Sequence, residues 1–388
     1  MDHGVTIFIP TYNRPEMLRR TLAFLHQGGL GLPVIVGDGS DSPVVASLNE
    51  SACRQFGENV EYFRNPPTRD GALKNFLSRY NVALARVKTP YVACCADDDL
   101  LIPETAAECA KFLSDHDDYV ACHGMYLGYR YSQDAVQIDS MIYQEPSIDG
   151  NEFGSRLMQL YSQYEAPYYA VYRTKTQRRI IQSAQSIDLG IMVEAFHSAA
   201  AVVEGKIGRL DKIYYLRNVG VAPHGRSIEG WNHWMARDFD DFFERYREHR
   251  AKIISLLASD TVGDIDIQKL RRCIDMAFVV YLGRGFHLGF WIEEYLAGAV
   301  SELEDRNRLR QRLAKTLFET QSPPVANGQT PGNFSRRLRS IFNSKTSDQA
   351  SPNQLSELSK GRRYAVQVSD WLRVKFPENE WDAVRGRL

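Results

Sequence analysis

Three consecutive aspartates, Asp97, Asp98 and Asp99, follow the apolar segment Tyr91–Cys95 after a single alanine. Adjacent carboxylates repel one another unless a cation neutralises them, and carboxylate oxygens are the ligands that Mg²⁺ and Mn²⁺ prefer. A metal held there can bridge a diphosphate and take up the charge of a leaving phosphate. The triplet therefore predicts a divalent-metal site; the alternative is a solvated turn that caps the helix beginning near Pro103.

Two further apolar segments end in side chains suited to binding a nucleotide. Asp38 lies between two glycines in the segment Gly37–Ser40, and these glycines allow close backbone approach. Its carboxylate can accept hydrogen bonds from a base or a ribose; the alternative is a turn aspartate. Tyr12, in Pro10-Thr11-Tyr12-Asn13, offers a flat face on which a base can stack. The alternative is a loop aromatic that covers the sheet edge.

The elements that must position these residues alternate along the first 125 residues. Short apolar runs predict strands, here Val5–Pro10, Pro33–Val36, Val60–Phe63 and Tyr91–Cys95. Between them, apolar residues at helical spacing, or a proline at the first helical position, predict helices. Strands that alternate with helices favour a parallel sheet covered on both faces. In such sheets ligands bind at the carboxyl ends of the strands, which is where all three motifs lie.

The ordered set of motifs resembles the family 2 glycosyltransferases of the GT-A fold. Ile9–Asn13 matches the strand that ends in Pro-Thr-Tyr-Asn, and Gly37–Ser40 matches Asp-Asp-Gly-Ser with glycine in place of the first aspartate. Asn81–Ala85 matches a helix with Asn followed by small residues, and Asp97–Pro103 matches the aspartate-rich strand end. The resemblance covers roughly residues 4–220.

The resemblance implies an α/β GT-A fold, a Rossmann-like and mostly parallel sheet flanked by helices, here with a C-terminal helical extension. It implies metal-assisted, inverting transfer of a sugar from a nucleotide-diphosphate donor, most commonly a UDP-sugar, with Mn²⁺ or Mg²⁺ as cofactor. The acceptor would be a hydroxyl of a saccharide or lipid-linked saccharide, in the assembly of surface polysaccharide or another glycoconjugate.

The same resemblance assigns the donor site. Tyr12 would stack on the base, Asp38 would hydrogen-bond it, Asp97 would contact the ribose and Asp98 would hold the metal with Asp99 beside it. Pro10, Thr11 and Arg14 would also lie at the nucleotide sugar, and Arg69 and Lys74 stand where the family often has basic contacts. At Ala96 many members carry the first aspartate of Asp-x-Asp, so the sequence leaves open whether Asp98 or Asp99 binds metal.

The acceptor side needs a carboxylate that takes the proton of the attacking hydroxyl. By the resemblance this general base begins a helix upstream of Gly205 and of the aromatic segment Ile213–Arg217, which indicates Glu194. Asp188 is the runner-up, and the alternative for Glu194 is a solvated helix carboxylate. GT-A enzymes often close a loop over the diphosphate, sometimes with a histidine on the metal, and His224 is the candidate here; an unliganded loop histidine is the alternative.

Composition limits the partners and the location. The 47 basic and 48 acidic side chains leave a net charge of -1, which argues against nucleic acid as the main partner. No apolar run reaches the ~18–20 residues of a membrane-spanning helix. The six cysteines show no CxxC spacing, and reduced thiols are typical of the cytosol. We therefore expect a cytoplasmic protein.

The chain divides into four predicted parts. Residues 1–230 form the catalytic domain, 231–320 a helical region, 321–354 a flexible linker rich in Pro, Ser and Asn, and 355–388 a helical segment. Within the linker, residues 333–342 combine arginines with apolar side chains at helical spacing. One hypothesis is a weak peripheral contact with anionic lipid at the inner face of the membrane; the other is a short helix packed on the protein.

Two other functions fit part of the pattern. Sugar-nucleotide pyrophosphorylases also use an α/β sheet, a metal and aspartates, but they normally open with a glycine-rich loop where this chain has Pro10–Asn13. A non-catalytic binding protein that keeps the fold is the second alternative, suggested by Gly37 and Ala96. The segment Pro10–Asn13 disfavours the first alternative, and the acidic triplet and Glu194 argue against the second.

Overall fold

The computed structural model describes residues 4–28, 30–132, 135–143, 145–162, 164–188, 190–220, 239–258 and 267–285. These residues belong to two compact units. The first lies within residues 1–153 and 165–228, and the second lies within 154–164 and 229–350. The predicted linker 321–354, with its basic stretch 333–342, and the segment 355–388 lie outside the described residues.

The first unit alternates strands and helices at its beginning, as the sequence predicts. Its elements in chain order are β1 (Val5–Thr11), α1 (Pro15–Gln27), β2 (Val34–Asp38), α2 (Pro43–Gln55), β3 (Val60–Arg64), α3 (Ala72–Arg86), β4 (Tyr91–Cys94), β5 (Leu100–Leu101), α4 (Pro103–Asp115), β6 (Tyr119–Ser132), β7 (Ala135–Tyr143), a 3₁₀ turn (Pro167–Tyr169), β8 (Val171–Arg173), α6 (Thr174–Ala184), α7 (Gly190–Glu204) and β9 (Lys206–Asn218). Helix α5 (Phe153–Ser162) belongs mainly to the second unit.

One mixed sheet of nine strands forms the centre of the first unit. Its strand order is β3-β2-β1-β4-β8-β6-β9-β5, with β7 paired to β6. Strands β1 to β4 are mutually parallel where they pair, which confirms the predicted parallel sheet for this half. The other half is mixed, because β8 runs antiparallel to both β4 and β6 while β6 and β9 are parallel. The fold is α/β, as expected.

Local sequence explains where the helices of the parallel half begin. Proline stands at the start of α1, α2 and α4, a position where its missing N–H costs no hydrogen bond. Strand β1 is buried on both faces apart from the half-buried Pro10, as a central parallel strand requires. The strands therefore end together at one edge, and the loops that follow them are brought side by side.

A stack of tyrosines lies in the mixed half of the sheet. The ring of Tyr126 on β6 stacks on Tyr143 and Tyr215, with centroids 4.6 and 5.1 Å apart. Tyr215 also stacks on Tyr169 at 5.1 Å. Stacked aromatic pairs contribute about 0.5–1.5 kcal/mol each beyond the area they bury. The stack fixes Tyr215, whose hydroxyl reaches the acidic triplet.

The second unit is helical in its described residues. It contains α5, α8 (Phe239–Ala258) and α9 (Ile267–Gly285). Tyr246 on α8 stacks on Phe278 of α9 with ring centroids 4.2 Å apart. Arg250 pairs with Asp275 at 2.8 Å. Aromatic packing and a half-buried ion pair therefore join the two long helices.

The six cysteines are unpaired, and five of them are buried. This agrees with the expectation of reduced thiols. Among the helices that the structure describes, none combines the length and the hydropathy needed to cross a membrane.

A buried histidine makes the stability of the first unit depend on pH. His197 on α7 is fully buried beside the rings of Tyr168 and Tyr172, and its Nε2 lies 3.1 Å from Gln177 Oε1. Burial lowers the pKa of His197 from 6.5 to about 3. In the folded protein the His197 imidazole therefore stays neutral down to about pH 3, whereas in the unfolded chain it is protonated below pH 6.5. A fall in pH therefore favours the unfolded state and lowers the unfolding free energy.

We expect the unfolding free energy of the wild type to fall by about 2 kcal/mol relative to that of His197→Leu between pH 7 and pH 5. Chemical denaturation at both pH values measures this difference. The exposed His116 provides the control, since His116→Leu should follow the wild type. Parallel pH dependence of wild type and His197→Leu would contradict the assignment of a neutral buried imidazole.

Candidate active site

The three sequence motifs meet at one edge of the sheet, where β1, β2 and β4 end. Thr11 on β1 lies opposite Asp38 on β2 in the parallel register, and the Gly39 N–H donates to the Thr11 carbonyl at 2.9 Å. Thr11 Oγ1 also donates to Asp97 Oδ2, which follows β4, at 2.8 Å. Residues from three separate parts of the chain therefore share one site.

Asp97 is a buried carboxylate at the centre of this edge. Besides Thr11, it accepts from Arg14 Nη1, which lies 3.2 Å from its Oδ1. Burial and the neighbouring charge of Asp98 raise the pKa of Asp97 to about 7, although Arg14 and Thr11 act in the opposite direction. A group with such a perturbed pKa in a shared site is typical of a functional position.

Arg14 binds two members of the triplet at once. The same Nη1 lies 2.7 Å from Asp98 Oδ2, and the side chain of Asp98 is 17% exposed. Among the described residues no side chain or backbone group binds the other oxygen, Oδ1, so Asp98 presents one free carboxylate oxygen. Arg14 thus supplies the neutralising cation that the adjacent carboxylates require.

Asp99 points away from that oxygen and into the protein. Its Oδ1 accepts from the Asn218 N–H at 2.7 Å, and its Oδ2 accepts from the Tyr215 hydroxyl at 3.0 Å. Burial and the Asp98 charge raise the pKa of Asp99 to about 7. Both oxygens of Asp99 are therefore committed to the end of β9, which they hold against the triplet.

These contacts decide which residues fit a divalent cation. Asp98 has a free oxygen at the surface, whereas Asp99 has none. No cluster of three or more metal-ligating side chains occurs among the described residues, and His224 lies outside them. The residues present therefore fit a cation held by one carboxylate and completed by diphosphate oxygens and water, an arrangement that Mg²⁺ often adopts.

Asp38 lies inside the protein. Its side chain is fully buried, and it accepts from the Ser40 N–H at 2.7 Å, Asn49 Nδ2 at 2.9 Å and the Tyr62 hydroxyl at 2.8 Å. These bonds tie the loop after β2 to α2 and β3. The structure thus gives Asp38 a supporting role in the loop, and its predicted hydrogen bond to a base stays a prediction.

Tyr12 lies at the mouth of the site, with 36% of its surface exposed. Its hydroxyl donates to Asp41 Oδ2 at 3.1 Å, and Asn13 Nδ2 donates to Asp41 Oδ1 at 2.9 Å. Asn13 has a φ of 55°, a left-handed conformation that asparagine tolerates better than most residues. Asp41 therefore holds the Tyr12 ring in place, a role that the sequence analysis missed.

Arg79 is the second residue that the sequence analysis missed. It lies on α3 with 6% of its surface exposed, and its Nε and Nη1 atoms have no hydrogen-bond partner among the described residues. Burial lowers the pKa of Arg79, against the attraction of Asp38, Tyr12 and Asp97. A long basic residue on an amphipathic helix carries no signal in the sequence that it will be buried.

The other predicted donor contacts are less central. Pro10 pairs with Gly37 in the β1–β2 ladder. Arg69 and Lys74 are both exposed, on the loop before α3 and on its first turn. The structure does not bring these two side chains to the acidic triplet, and their contact with the nucleotide stays a prediction.

Glu194, the predicted base, lies exposed on α7 and acts electrostatically on Arg217 at the end of β9. Burial lowers the pKa of Arg217, but four neighbouring groups raise it by more, so the pKa lies above its usual value. These groups are Tyr169, Tyr143, Asp99 and Glu194. Arg217 is therefore within electrostatic reach of both a carboxylate of the triplet and the candidate base. Asp188, the alternative base, is exposed just before α7.

Three tyrosines lie within electrostatic reach of the same carboxylate. Burial and Glu194 raise the pKa of Tyr143 to about 12. Burial is also the main cause of the raised pKa values of Tyr168 and Tyr169, to which Glu194 contributes. All three rings are partly accessible. Glu194 is therefore within electrostatic reach of three tyrosines and Arg217.

Comparison with known sequences identifies the amino-terminal half. Residues 6–180 match the family described as "Glycosyl transferase family 2". Curated protein sequences give no match.

Solved structures share the fold at low sequence identity. S. aureus TarS 1-349 in complex with UDP-GlcNAc has a TM-score of 0.51 and 15% identity, over 95% of this chain and 91% of that one. The longer S. aureus TarS structure has a TM-score of 0.49 and 17% identity over 95% of this chain, which spans 55% of its length. The mannosyltransferase PcManGT from Pyrobaculum calidifontis, in complex with GDP-Man and Mn²⁺, has a TM-score of 0.38 and 14% identity, over 92% of this chain and 87% of that one. Residues 6–180 of this chain therefore match glycosyl transferase family 2, and the chain shares its fold with a GT-A glycosyltransferase.

Proposed function

We propose that the protein transfers a sugar from a nucleoside-diphosphate carrier, with UDP as the expected carrier, to a hydroxyl of a saccharide or lipid-linked saccharide, with inversion. The observation that carries this proposal is the meeting of Thr11, Asp38 and the acidic triplet at one edge of the sheet, where Thr11 lies opposite Asp38 and donates to Asp97. Arg217, at the end of β9, is within electrostatic reach of both Asp99 and Glu194. TarS 1-349, which shares the fold, is in complex with UDP-GlcNAc.

On the donor side, Tyr12 stacks on the base and Asp97 contacts the ribose. Asp98 holds a divalent cation, Mn²⁺ or Mg²⁺, through the oxygen that Arg14 leaves free. Such a cation neutralises charge that develops on the leaving diphosphate. Asp99 positions the end of β9 through the Asn218 N–H and the Tyr215 hydroxyl, and so sets where Arg217 lies.

On the acceptor side, Glu194 acts as the general base. The acceptor oxygen attacks the anomeric carbon while the bond from that carbon to the diphosphate oxygen breaks. The hydroxyl proton passes to a Glu194 carboxylate oxygen, and the nucleoside diphosphate leaves with the bonding electron pair. Arg217 favours the ionised form of Glu194 because a nearby cation stabilises a carboxylate. A single displacement from the opposite face inverts the configuration.

Ligand-dependent melting tests the donor half of this proposal. We expect one nucleoside diphosphate, with Mn²⁺ or Mg²⁺, to raise the melting temperature, and a chelator to abolish the shift. A ligand at 100 times its dissociation constant adds about 2.7 kcal/mol to the unfolding free energy. Nucleoside monophosphates serve as the control, since they lack the second phosphate. If no diphosphate stabilises the protein with either metal, the donor site is absent and the proposal is wrong.

A further inference from the structure

Helix α7 is buried on every side except at Glu194. Between residues 192 and 203 the side chain of Glu194 is exposed, and every other side chain is buried. Two of the buried side chains are polar, and both lie one turn after Glu194: His197 and Ser198. Residues three and four positions apart are neighbours on a helix surface. The polar side chains of this apolar helix therefore cluster beside the candidate base.

Both of these side chains make a directed hydrogen bond. Ser198 Oγ donates to the Glu194 carbonyl at 2.9 Å. His197 Nε2 lies 3.1 Å from Gln177 Oε1, and Gln177 Nε2 donates to the Tyr80 hydroxyl at 2.6 Å. Because the amide nitrogen of Gln177 is the donor to Tyr80, its oxygen is the acceptor for the imidazole. It follows that the neutral His197 carries its proton on Nε2.

The hydrogen bonds from His197 to Gln177 and Tyr80 join three helices to the sheet. His197 lies on α7, Gln177 on α6 and Tyr80 on α3, and none of the three is more than 1% exposed. The Tyr80 ring stacks on Phe8 of β1 with centroids 4.8 Å apart. Strand β1 pairs with β4, and both end at the donor edge. The chain of contacts therefore runs from the strands of the donor site to the helix turn of Glu194.

Stability alone does not account for this buried network. The net gain from a buried hydrogen bond is small, and apolar side chains of the same shape can replace a bonded pair at little cost. His197 also keeps a buried Nδ1 that has no partner among the described residues, and such an atom lowers stability. A connected polar network does, however, specify one arrangement, because hydrogen bonds are directional and apolar contacts can slide. The network therefore serves the placement of α7.

We propose that His197 and Gln177 are positioning residues for sugar transfer, which fix the turn of α7 that presents Glu194 to the attacking hydroxyl. The inference rests on the proposed function, because it needs Glu194 as the base. Misplacement of a catalytic group by about 1 Å can lower a rate by about 10²-fold. Loss of the network should therefore slow the chemical step and leave the donor site, which other elements form, as it is.

Hydrogen–deuterium exchange of the substrate-free protein tests whether the network holds α7. His197→Leu and Gln177→Leu should increase deuterium uptake in peptides from α7, since each removes the hydrogen bond between the two side chains. His197→Gln keeps a side-chain N–H that can donate to Gln177, and its α7 should exchange like that of the wild type. Unchanged uptake in both leucine variants would overturn the inference.

The rate of UDP release tests whether the network positions the base. UDP-glucose, UDP-galactose and UDP-N-acetylglucosamine are supplied with Mn²⁺ and with water as the acceptor. The water oxygen attacks the anomeric carbon, its proton passes to Glu194, and UDP leaves with the bonding electron pair. Calorimetric titration with UDP counts the donor sites, so kcat is expressed per site and unfolded protein does not contribute.

We expect kcat per site to fall about 10- to 100-fold in His197→Leu and Gln177→Leu, with KM and the affinity for UDP within about twofold of the wild type. His197→Gln should keep kcat within about threefold of the wild type. A loss of UDP affinity equal to the loss of kcat would contradict the inference, because it would place the damage at the donor site.

A double-variant cycle shows whether His197 acts through Glu194. If it does, adding His197→Leu to Glu194→Gln should lower kcat by less than about twofold, because the base that the histidine positions is already gone. Losses that multiply would overturn the inference. Thr174→Val is the matched control on α6, since it removes the buried hydrogen bond from Thr174 Oγ1 to the Thr89 carbonyl, 2.9 Å long. It should leave kcat per site and uptake in α7 unchanged.

The failure of the proposed function has a different signature. If the wild type neither binds UDP nor releases it from any of the three sugar nucleotides, the proposed function is wrong and the inference falls with it. If it binds UDP but releases none, the donor half stands, and the base and its positioning residues are wrong. If it releases UDP and the leucine variants keep kcat per site, only the inference is wrong. Should His197→Leu fail to fold, Gln177→Leu decides the outcome by the same measurements.

Discussion

Glu194→Gln is expected to reduce the rate of sugar transfer by about 10²–10⁴-fold while the affinity for the nucleotide donor stays within about twofold. Glutamine keeps the size and the hydrogen-bonding capacity of the side chain but cannot take up a proton. The loss should therefore appear in kcat and not in donor binding. A transfer assay and a calorimetric titration of the same variant measure the two quantities.

The expectation rests on where α7 places this side chain. Glu194 is exposed, so an acceptor can reach it, and it contributes to the pKa values of Arg217, Tyr143, Tyr168 and Tyr169. The electrostatic effect of Glu194 on Arg217, on which Asp99 also acts, supports the proposed role of Glu194 as the base.

Two variants control this result. Asp188→Asn tests the alternative base and should keep transfer within a few-fold of the wild type. Glu108→Gln removes an exposed carboxylate that pairs with Lys212 at 2.5 Å, and it should leave both transfer and binding unchanged. Full transfer in Glu194→Gln would contradict the assignment, and loss of transfer in Asp188→Asn alone would move the base to that residue.

The parallel half of the fold could be predicted from the sequence because its signals are local. Strand β1 and strand β4 are continuous apolar runs, and prolines mark the starts of α1 and α4. The mixed half could not be predicted in the same way. Strand β8 has only three residues, and its antiparallel pairing with β4 and β6 depends on tertiary contacts that no local pattern encodes.

The candidate site shows the same limit at the level of single residues. Asp98 and Asp99 are chemically identical neighbours, and what separates them is Asn218 and Tyr215, more than a hundred residues away. Asp38 turns inward because Asn49 and Tyr62 supply donors from other elements. Residue types and spacing locate a site at a sheet edge, whereas the orientation of each carboxylate depends on partners that only the folded chain brings together.

The second large effect is expected at Asp98. Asp98→Asn should abolish the metal-dependent part of nucleotide binding and lower transfer by about 10²–10³-fold, which corresponds to the several kcal/mol that a metal supplies to a developing charge. An amide oxygen is neutral and holds a divalent cation weakly. Mn²⁺ titration followed by electron paramagnetic resonance, with and without the nucleotide, measures the binding directly.

Asp99→Asn is the matched variant, because it removes the same charge one residue away. Both oxygens of Asp99 accept hydrogen bonds, one from the Asn218 N–H and one from the Tyr215 hydroxyl. Asparagine has only one side-chain oxygen, so one of these donors loses its acceptor, and the unfolding free energy should fall by about 1–3 kcal/mol. Metal-dependent nucleotide binding should survive it. The opposite pattern, with metal lost in Asp99→Asn and kept in Asp98→Asn, would shift the metal ligand by one residue.

Arg14 provides a further test of the metal site, because its guanidinium competes with the cation for the Asp98 carboxylate. Its Nη1 lies 2.7 Å from Asp98 Oδ2, and such a close, half-buried charge pair couples by about 1.5 kcal/mol. Arg14→Ala should therefore raise the affinity of the nucleotide-free protein for Mn²⁺ about tenfold. The double variant Arg14→Ala, Asp98→Asn should lose that gain. If Mn²⁺ binds Arg14→Ala no better than the wild type, the triplet does not hold the metal through Asp98.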